Sequence, residues 1–268
     1  MDRPSFVNQP KPFIACVLTD PDPNSTLATI RNAECDGTNA FDLHLRALER
    51  QYLNKDDLSR IILSSYRPMM MIFYRNGPQI WCANINDEDR ENALMLALDC
   101  GASAVDIMAD FYDPSYDEIS RKPEIIDRQR RLVDRIHKKG GEVIMSSHTW
   151  REMNCDEVVS HMKELEVRGA DMVKIATVAN SEDQLIESMK TTISLKKELK
   201  LPFIHIVMGQ YGKMHRFVGP MLGSSLVFCV ESYTPTGHKE QPLVRSAKAV
   251  FDNLDWRIAR DRTSMTRG

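Results

Sequence analysis

The sequence lacks a large excess of charge of either sign. Its 35 lysines and arginines are offset by 38 aspartates and glutamates, which gives a formal net charge of −3. Domains that bind nucleic acid or anionic membranes use clustered positive charge to attract their partners. We therefore expect neither a nucleic-acid partner nor a membrane partner.

Long apolar segments and paired cysteines are also missing. No run approaches the ~20 apolar residues of a transmembrane helix, and the first residues, Met1 to Pro4, lack the apolar region of a signal peptide. The six cysteines are scattered, with no CxxC pair and no His/Cys cluster at metal-ligand spacing. Most of them lie in apolar runs, where a thiol behaves as a small hydrophobic side chain. We expect a reduced, cytoplasmic protein without a metal site.

Eight short β-rich runs follow one another along the chain. We predict strands over Phe13–Leu18, Phe41–Leu45, Met69–Tyr74, Ala104–Met108, Glu142–Ser147, Asp171–Ala176, Phe203–Met208 and Ser225–Val230. Segments with apolar residues at helical spacing lie over Leu27–Ala33, Asp56–Leu63, Arg90–Leu98, Ile125–His137, Val158–Leu165, Leu185–Leu199, Phe217–Leu222 and Val244–Phe251. Gly101, Gly140 and Gly169 are predicted to end helices. Asn24-Ser25 and Asn86-Asp87 are predicted to cap helix starts.

The alternation of strands and helices predicts consecutive βα units. Successive strands begin roughly 20 to 40 residues apart, which is the length of such a unit. An open, doubly wound sheet is the alternative to a barrel, but it would carry a GxGxxG turn after its first strand when it binds a dinucleotide, and none is present. We predict a single α/β domain over residues 1–268, a (β/α)8 TIM barrel, with a leader over 1–11 and a flexible tail over 255–268.

Lys174 is the most informative polar residue, because it lies inside an apolar strand near the end where TIM-barrel active sites are found. A buried ammonium is costly, and a lysine in such a place can act as a neutral nucleophile toward a carbonyl carbon. A structural explanation is equally available. The side chain can extend to solvent, or it can pair with a carboxylate such as Asp106.

Further polar residues end or follow the neighbouring strands. His148 ends the fifth strand, where a neutral imidazole would suit proton transfer, although a histidine there can also simply cap a helix. Arg46, Arg75 and Arg216 follow the second, third and seventh strands. Each could form an ordinary surface salt bridge, but three guanidinium groups at one barrel mouth suit an anionic substrate.

Several segments resemble the type I 3-dehydroquinate dehydratase family. The segment Val143–Trp150 resembles the one in which an S-x-H triplet closes the fifth strand of the family. Arg168–Ala176 resembles its G-A-D-x-x-K-I-A segment, and Ile206–Arg216 resembles its M-G-x-x-G stretch followed by an arginine. Gly223–Phe228 resembles the strand that comes next. Strand order and spacing agree along nearly the whole chain.

The resemblance implies a lyase of the shikimate pathway that dehydrates 3-dehydroquinate through a lysine imine, without a metal or an organic cofactor. It implies Lys174 as the Schiff-base residue, His148 as the acid–base residue and Arg216 as the ligand of the substrate carboxylate. The other residues that it assigns to substrate binding are Arg46, Arg75, His44, Gln79, Met208 and Gln241. The family also suggests a homodimer that acts on a small anionic carbonyl compound.

Two strand-associated positions and the closing loop, which is longer and altered over Tyr233–Gln241, depart from the family pattern. His44 stands where the second strand of the family carries a glutamate, and Gln79 stands where a glutamate supports the catalytic histidine. These changes predict an altered substrate shell and the loss of a charge that would bias His148. Two alternatives remain: a Schiff-base dehydratase or aldolase for a different hydroxy-ketone acid, and a non-catalytic ligand sensor. Retention of Lys174 and His148 argues against the sensor, since binding alone needs neither.

Overall fold

The computed structural model describes residues 3–75, 82, 84–234 and 239–254, and strands and helices alternate through these ranges. The strands found there are β1 (Phe13–Leu18), β2 (Ala40–His44), β3 (Met69–Ile72), β4 (Ala104–Met108), β5 (Glu142–His148), β6 (Met172–Val178), β7 (Phe203–Met208) and β8 (Leu226–Cys229). The α-helices found there are α1 (Pro23–Cys35), α2 (Lys55–Ile62), α3 (Asp87–Asp99), α4 (Pro123–Lys138), α5 (Cys155–Glu166), α6 (Glu182–Glu198), α7 (Gly212–Leu222) and α8 (Val244–Leu254).

The strands form a parallel barrel. Each strand from β1 to β6 pairs in parallel with the next one along the chain, and β1 also pairs with β8. The remaining gap is bridged where β7 meets the start of β8. There the Ser225 N–H donates to the Phe203 carbonyl at 2.7 Å, and the His205 N–H donates to Ser224 Oγ at 3.1 Å. The predicted (β/α)8 TIM barrel is confirmed.

The predicted strands occur at the predicted places. β1, β4 and β7 have the predicted bounds, and the others differ by one or two residues at an end. The helix cap predicted at Asn86 is confirmed, since its side chain accepts from the Asp89 N–H. The cap predicted at Asn24-Ser25 is wrong. The carboxylate of Asp22 caps α1 instead, because Pro23 occupies the first helical position, which needs no N–H.

Alternation along the strands divides the apolar residues into two sets. One set packs between the strands and the surrounding helices. The other set fills the barrel interior, and its strand residues are Phe13, Ala15, Val17, Ala40, Met70, Ala104, Ile144, Met172, Ile204, Leu226 and Phe228. Farther along the same strands, the positions with the same alternation are polar and buried, among them Asp42, Asp106, Ser146 and Lys174. The fold therefore places polar groups in the barrel toward the carboxyl ends of its strands.

The opposite end of the barrel is closed by the segment before β1. The ring of Phe6 is fully buried and packs edge-on against Phe13, with 5.5 Å between ring centroids. The Glu142 carboxylate, at the start of β5, accepts hydrogen bonds from the backbone N–H groups of Phe6 and Val7 at 2.7 and 3.0 Å. This part of the predicted leader is therefore a plug in the floor of the barrel.

A buried polar network joins α6 and α7 to the outer side of β7. The hydroxyl of Thr192 on α6 lies 2.8 Å from His205 Nδ1 on β7 and 2.9 Å from His215 Nε2 on α7. The two imidazole rings pack edge-on at 4.9 Å. Because Arg216 follows His215 directly, this network fixes the helix turn that carries Arg216.

Candidate active site

The interior polar residues of β5 and β6 are brought together by strand register. Ser146 lies beside Lys174, and His148 lies beside Ala176, one interior position nearer the mouth. Strand geometry puts the Cα atoms of Lys174 and His148 about 8 Å apart, since two residues advance about 6.6 Å and neighbouring strands are separated by about 4.8 Å. Two side chains with complementary chemistry thus face the same space.

Lys174 points toward the barrel axis and is paired. Its side chain is 4% exposed, and Nζ lies 2.8 Å from Asp106 Oδ2 on β4, which is fully buried. Nζ is also 5.3 Å from the ring centroid of Phe228 on β8, across the interior. The second Asp106 oxygen accepts a hydrogen bond from Ser146 Oγ. The predicted pairing of Lys174 with Asp106 is therefore present, and the ion pair lies inside the barrel rather than at its surface.

His148 has a carboxylate partner of its own. Its Nδ1 lies 2.8 Å from Glu118 Oε2, and its backbone N–H donates to the same oxygen at 2.9 Å. The hydroxyl of Tyr74 donates to the other Glu118 oxygen, and the Tyr74 and His148 rings are in contact at 4.6 Å between centroids. The His148 side chain is 14% exposed, so one edge of the imidazole remains open to the barrel mouth.

Glu118 is the site residue that sequence reasoning missed. It lies between β4 and α4, in a segment without periodic spacing, and Glu118 has a left-handed backbone with φ of 48°. Burial by itself would raise the pKa of the Glu118 carboxyl, but hydrogen bonds from His148 and Tyr74 hold that pKa below its usual value. The prediction that His148 lacks a biasing charge is therefore wrong. The charge comes from a different loop.

Arg216 lies in the first turns of α7, with its residue only 8% exposed. Burial lowers the pKa of its guanidinium to about 10, although the charge of Glu240 opposes this shift. Among the described residues, no carboxylate lies within 4.0 Å of the Arg216 nitrogens, and Nε lacks a hydrogen-bond partner. A buried guanidinium without a bonded anion is suited to receive one from a ligand.

The other predicted binding residues are distributed unevenly. Arg75 is occupied by protein carboxylates, at 3.0 Å from Asp110 and 3.1 Å from Asp87. His44 Nε2 lies 3.2 Å from Asp42 Oδ2, so this histidine belongs to a second buried acid–imidazole pair. The remaining residues of the set are Arg46, whose pKa is lowered by burial, Met208 and Gln241, which are half-buried, and Gln79, which lies outside the described residues.

Metal-site clusters and membrane-spanning helices are both absent from the described part of the chain. No group of three or more histidine, cysteine, aspartate or glutamate side chains there has the arrangement of a metal site. None of the helices there is both long and apolar enough to cross a bilayer.

The sequence matches the family model described as type I 3-dehydroquinase over residues 14–253. A 3-dehydroquinate dehydratase from Alkaliphilus oremlandii is 37% identical over 110 residues, which are 40% of this chain and 43% of that protein. One from Neisseria gonorrhoeae is 29% identical over 167 residues, which are 58% of this chain and 65% of that protein. The matches to these curated relatives thus span less than two thirds of the relatives' length.

Solved structures with the same fold cover more of the chain. The 3-dehydroquinate dehydratase of Geobacillus kaustophilus superposes with a TM-score of 0.77 at 16% identity, over 92% of this chain and 93% of that one. The type I 3-dehydroquinate dehydratase of Clostridium difficile, solved with covalently modified comenic acid, gives 0.77 at 18% identity, over 92% and 94%. At these identities the superpositions establish the shared barrel.

Proposed function

Because the chain belongs to the type I 3-dehydroquinase family, we propose that it is a carbon–oxygen lyase that eliminates water from 3-dehydroquinate, or from a closely related cyclic hydroxy-ketone acid, through an imine on Lys174. The observation that carries this proposal is that a lysine–carboxylate pair and a histidine–carboxylate pair lie side by side at the carboxyl ends of β4, β5 and β6. Lys174 is paired with Asp106, and His148 is paired with Glu118.

The buried ion pair suits imine chemistry. Asp106, 2.8 Å from Nζ, first takes a proton from the Lys174 ammonium, and the neutral amine adds to the ketone. The carbonyl oxygen then leaves as water, with that proton and one from the amine, and the nitrogen becomes an iminium. The nitrogen beside Asp106 is cationic before and after imine formation, and between these two states the carboxyl of Asp106 is neutral because it holds the proton. Removing a partner from a buried ion pair is strongly destabilising, and this reaction path avoids that state.

His148 is the proposed acid–base residue. Because the ionised Glu118 accepts the Nδ1–H, Nε2 carries the lone pair and faces the open edge of the ring. Nε2 removes the proton alpha to the iminium carbon, which gives an enamine. The enamine expels the β-hydroxyl, and the Nε2–H protonates it, so that water leaves. Hydrolysis of the conjugated iminium releases an enone and restores the Lys174 ammonium.

Arg216 is the proposed ligand of the substrate carboxylate. Its guanidinium is buried and has no described carboxylate within ion-pair distance. A bidentate hydrogen bond from the substrate would compensate a charge that is costly when buried without an anion.

The second candidate function is the same reaction on a related substrate, and the contacts of His44 and Arg75 favour it. His44 is bonded to Asp42, and Arg75 is held by Asp110 and Asp87. His44 is therefore less able to accept from a ring hydroxyl than the glutamate of the family pattern, and Arg75 is less able to bind an anionic group of the substrate. This candidate keeps the imine on Lys174 and changes only the groups that face His44.

We also propose a cytoplasmic homodimer, on the strength of the family resemblance. Among the described residues no disulfide joins any of the six cysteines, and five of the six are buried. Light scattering after size exclusion gives the oligomeric state directly, and a monomer at micromolar concentration would refute the dimer.

The test of the proposed activity is the appearance of the conjugated enone on addition of 3-dehydroquinate, followed by ultraviolet absorbance. The wild type should produce it, and Lys174→Ala should not, because the nucleophile is gone. Lys163→Ala is the matched control, since Lys163 forms an exposed pair with Glu198 on the outside of the barrel. Full activity of the Lys174→Ala variant would refute the imine mechanism.

A further inference from the structure

The segment that delivers Glu118, residues 109–122, folds back on itself and is bonded from several sides. The Ser120 N–H donates to the Ala109 carbonyl at 3.1 Å, which brings the two ends of the loop together. The side-chain amide of Gln129 on α4 donates to the Ala109 and Phe111 carbonyls at 2.8 and 3.1 Å. We call this segment the Glu118 loop.

Arg168, which precedes β6, is bonded to both ends of the Glu118 loop. Its Nη1 donates to the Ala109 carbonyl and to Gln129 Oε1, and its Nη2 donates to the Ser120 carbonyl, each at 2.7 Å. The residue is 2% exposed, and burial lowers the pKa of its guanidinium to about 10. Among the described residues no carboxylate lies within 4.0 Å of its nitrogens.

A buried cation that bonds only neutral acceptors is an expensive way to stabilise a fold. Burying a charge costs far more than burying a neutral amide unless an anion compensates it. The planar guanidinium, however, can reach two carbonyls in a fixed geometry, which an ammonium cannot. The arrangement thus fixes the separation of the two loop ends very stiffly.

The loop needs such a constraint because Glu118 is strained. Its φ of 48° lies in the left-handed region, which is unfavourable for a non-glycine residue and persists only when the surroundings enforce it. The Glu118 carbonyl accepts from Ser147 Oγ at 2.7 Å, and Ser147 Oγ in turn lies 2.8 Å from His161 Nε2. Backbone and side chain of Glu118 are therefore both fixed beside His148.

We propose that Arg168 is a positioning residue for catalysis, which acts through the Glu118 loop to hold the Glu118 carboxylate against His148. This inference rests on the proposed function of His148. Arg168 contacts neither Lys174 nor His148 through any described hydrogen bond, so its effect on turnover must pass through Glu118.

The test is a double-mutant cycle of Glu118→Gln and Arg168→Met, measured as kcat and KM on the substrate that the wild type turns over. Removing a residue that orients a functional histidine typically costs about 10- to 100-fold. We expect a kcat loss of that size in Glu118→Gln and a loss of about tenfold in Arg168→Met, with KM nearly unchanged in both. The double variant should be no slower than Glu118→Gln, because both changes remove the same contact.

Further readouts separate positioning from simple loss of stability. Imine trapping at Lys174 should be retained in both single variants. Arg121→Gln is the control, because Arg121 belongs to the Glu118 loop but pairs with Glu164 at the surface. The kcat of this variant should stay within about twofold of wild type.

Two outcomes would overturn the proposal: losses that multiply in the double variant, or wild-type kcat in a folded Arg168→Met protein. If Arg168→Met does not fold, Arg168→Lys takes its place in the cycle, since lysine keeps the cation and cannot span both carbonyls. A wild type that traps no imine with any candidate ketone would refute the proposed function, and with it this inference.

Discussion

His148 is the residue whose substitution separates binding of the ketone from turnover. His148→Ala removes the proposed acid–base group and leaves the Lys174–Asp106 pair in place. We expect the variant to form the imine but to lose roughly 10²–10⁴-fold in kcat, the usual worth of general acid–base catalysis. Steady-state kinetics together with borohydride trapping measure both quantities. Turnover within a few-fold of wild type would mean that His148 is structural.

We expect His44 to affect how efficiently the site binds and converts 3-dehydroquinate. We expect weak activity on this compound, because His44 is turned to Asp42 and a glutamate acceptor is missing. His44→Glu combined with Asp42→Asn restores an acceptor without placing two carboxylates side by side. An unmet buried hydrogen bond costs roughly 1–3 kcal/mol, so kcat/KM should rise by about tenfold or more.

The control for this change is Asp42→Asn alone, which should bring no gain in kcat/KM. The idea of altered specificity fails if the wild type already turns over 3-dehydroquinate efficiently and the double change leaves kcat/KM where it was.

Single residues also show where sequence reasoning stopped. Lys174 and His148 could be selected because each breaks or ends an apolar strand whose interior face is set by alternation. Glu118 could not, since it lies in an aperiodic loop and its position depends on Arg168 and Ser147, which are distant in sequence. The pairing of Arg75 with two aspartates was hidden for the same reason.

Among the elements, the strands were predictable and the closure of the barrel floor was not. Each strand is an apolar run bounded by polar or turn residues, so its existence follows from composition alone. The segment before β1 contains prolines and polar residues and has no periodicity, yet Phe6 is fully buried. Its burial depends on the shape of a cavity that exists only once eight strands have closed.

The floor plug can be tested by its contribution to stability. Phe6→Ala should lower the free energy of unfolding by about 3–5 kcal/mol, the usual cost of deleting a fully buried phenylalanine side chain. The proposed catalytic residues lie at the other end of the barrel, so kcat at low temperature should be unchanged. Urea denaturation measures the effect, with Tyr66→Ala as the control, since Tyr66 is 97% exposed.

If the Phe6→Ala and Tyr66→Ala proteins have the same free energy of unfolding, the segment before β1 is not part of the folded core. Exposed positions of this kind usually change stability by less than about 0.5 kcal/mol.

For the molecule as a whole, buried histidines set the response to acid. Burial lowers the pKa of His161 and of His215 to about 4, and the pKa of fully buried His205 lies well below its usual value. In the unfolded chain these groups titrate near ~6.5. Between about pH 6.5 and pH 4 the unfolded state therefore binds more protons, so the free energy of unfolding must fall as the pH is lowered.

Each such histidine contributes up to roughly 1.4 kcal/mol per pH unit within that window, so three of them should destabilise the fold by several kcal/mol at pH 5. Urea unfolding at pH 7, 6 and 5 measures the slope. His161→Gln keeps a hydrogen-bond donor for Ser147. It should reduce the slope of the unfolding free energy against pH by the amount that corresponds to about one bound proton. A stability that is flat from pH 7 to pH 5 would show that these histidines are accessible to solvent.

We propose that Lys174 forms a covalent imine with a small hydroxy-ketone acid, and reductive trapping tests this most directly. Wild-type protein is treated with borohydride in the presence of 3-dehydroquinate, and intact mass and peptide mapping follow. We predict one adduct per chain, on Lys174, with the mass of the ligand or of its dehydrated product less one oxygen atom. An adduct on another lysine, or an unmodified protein that still produces the enone, would contradict the account.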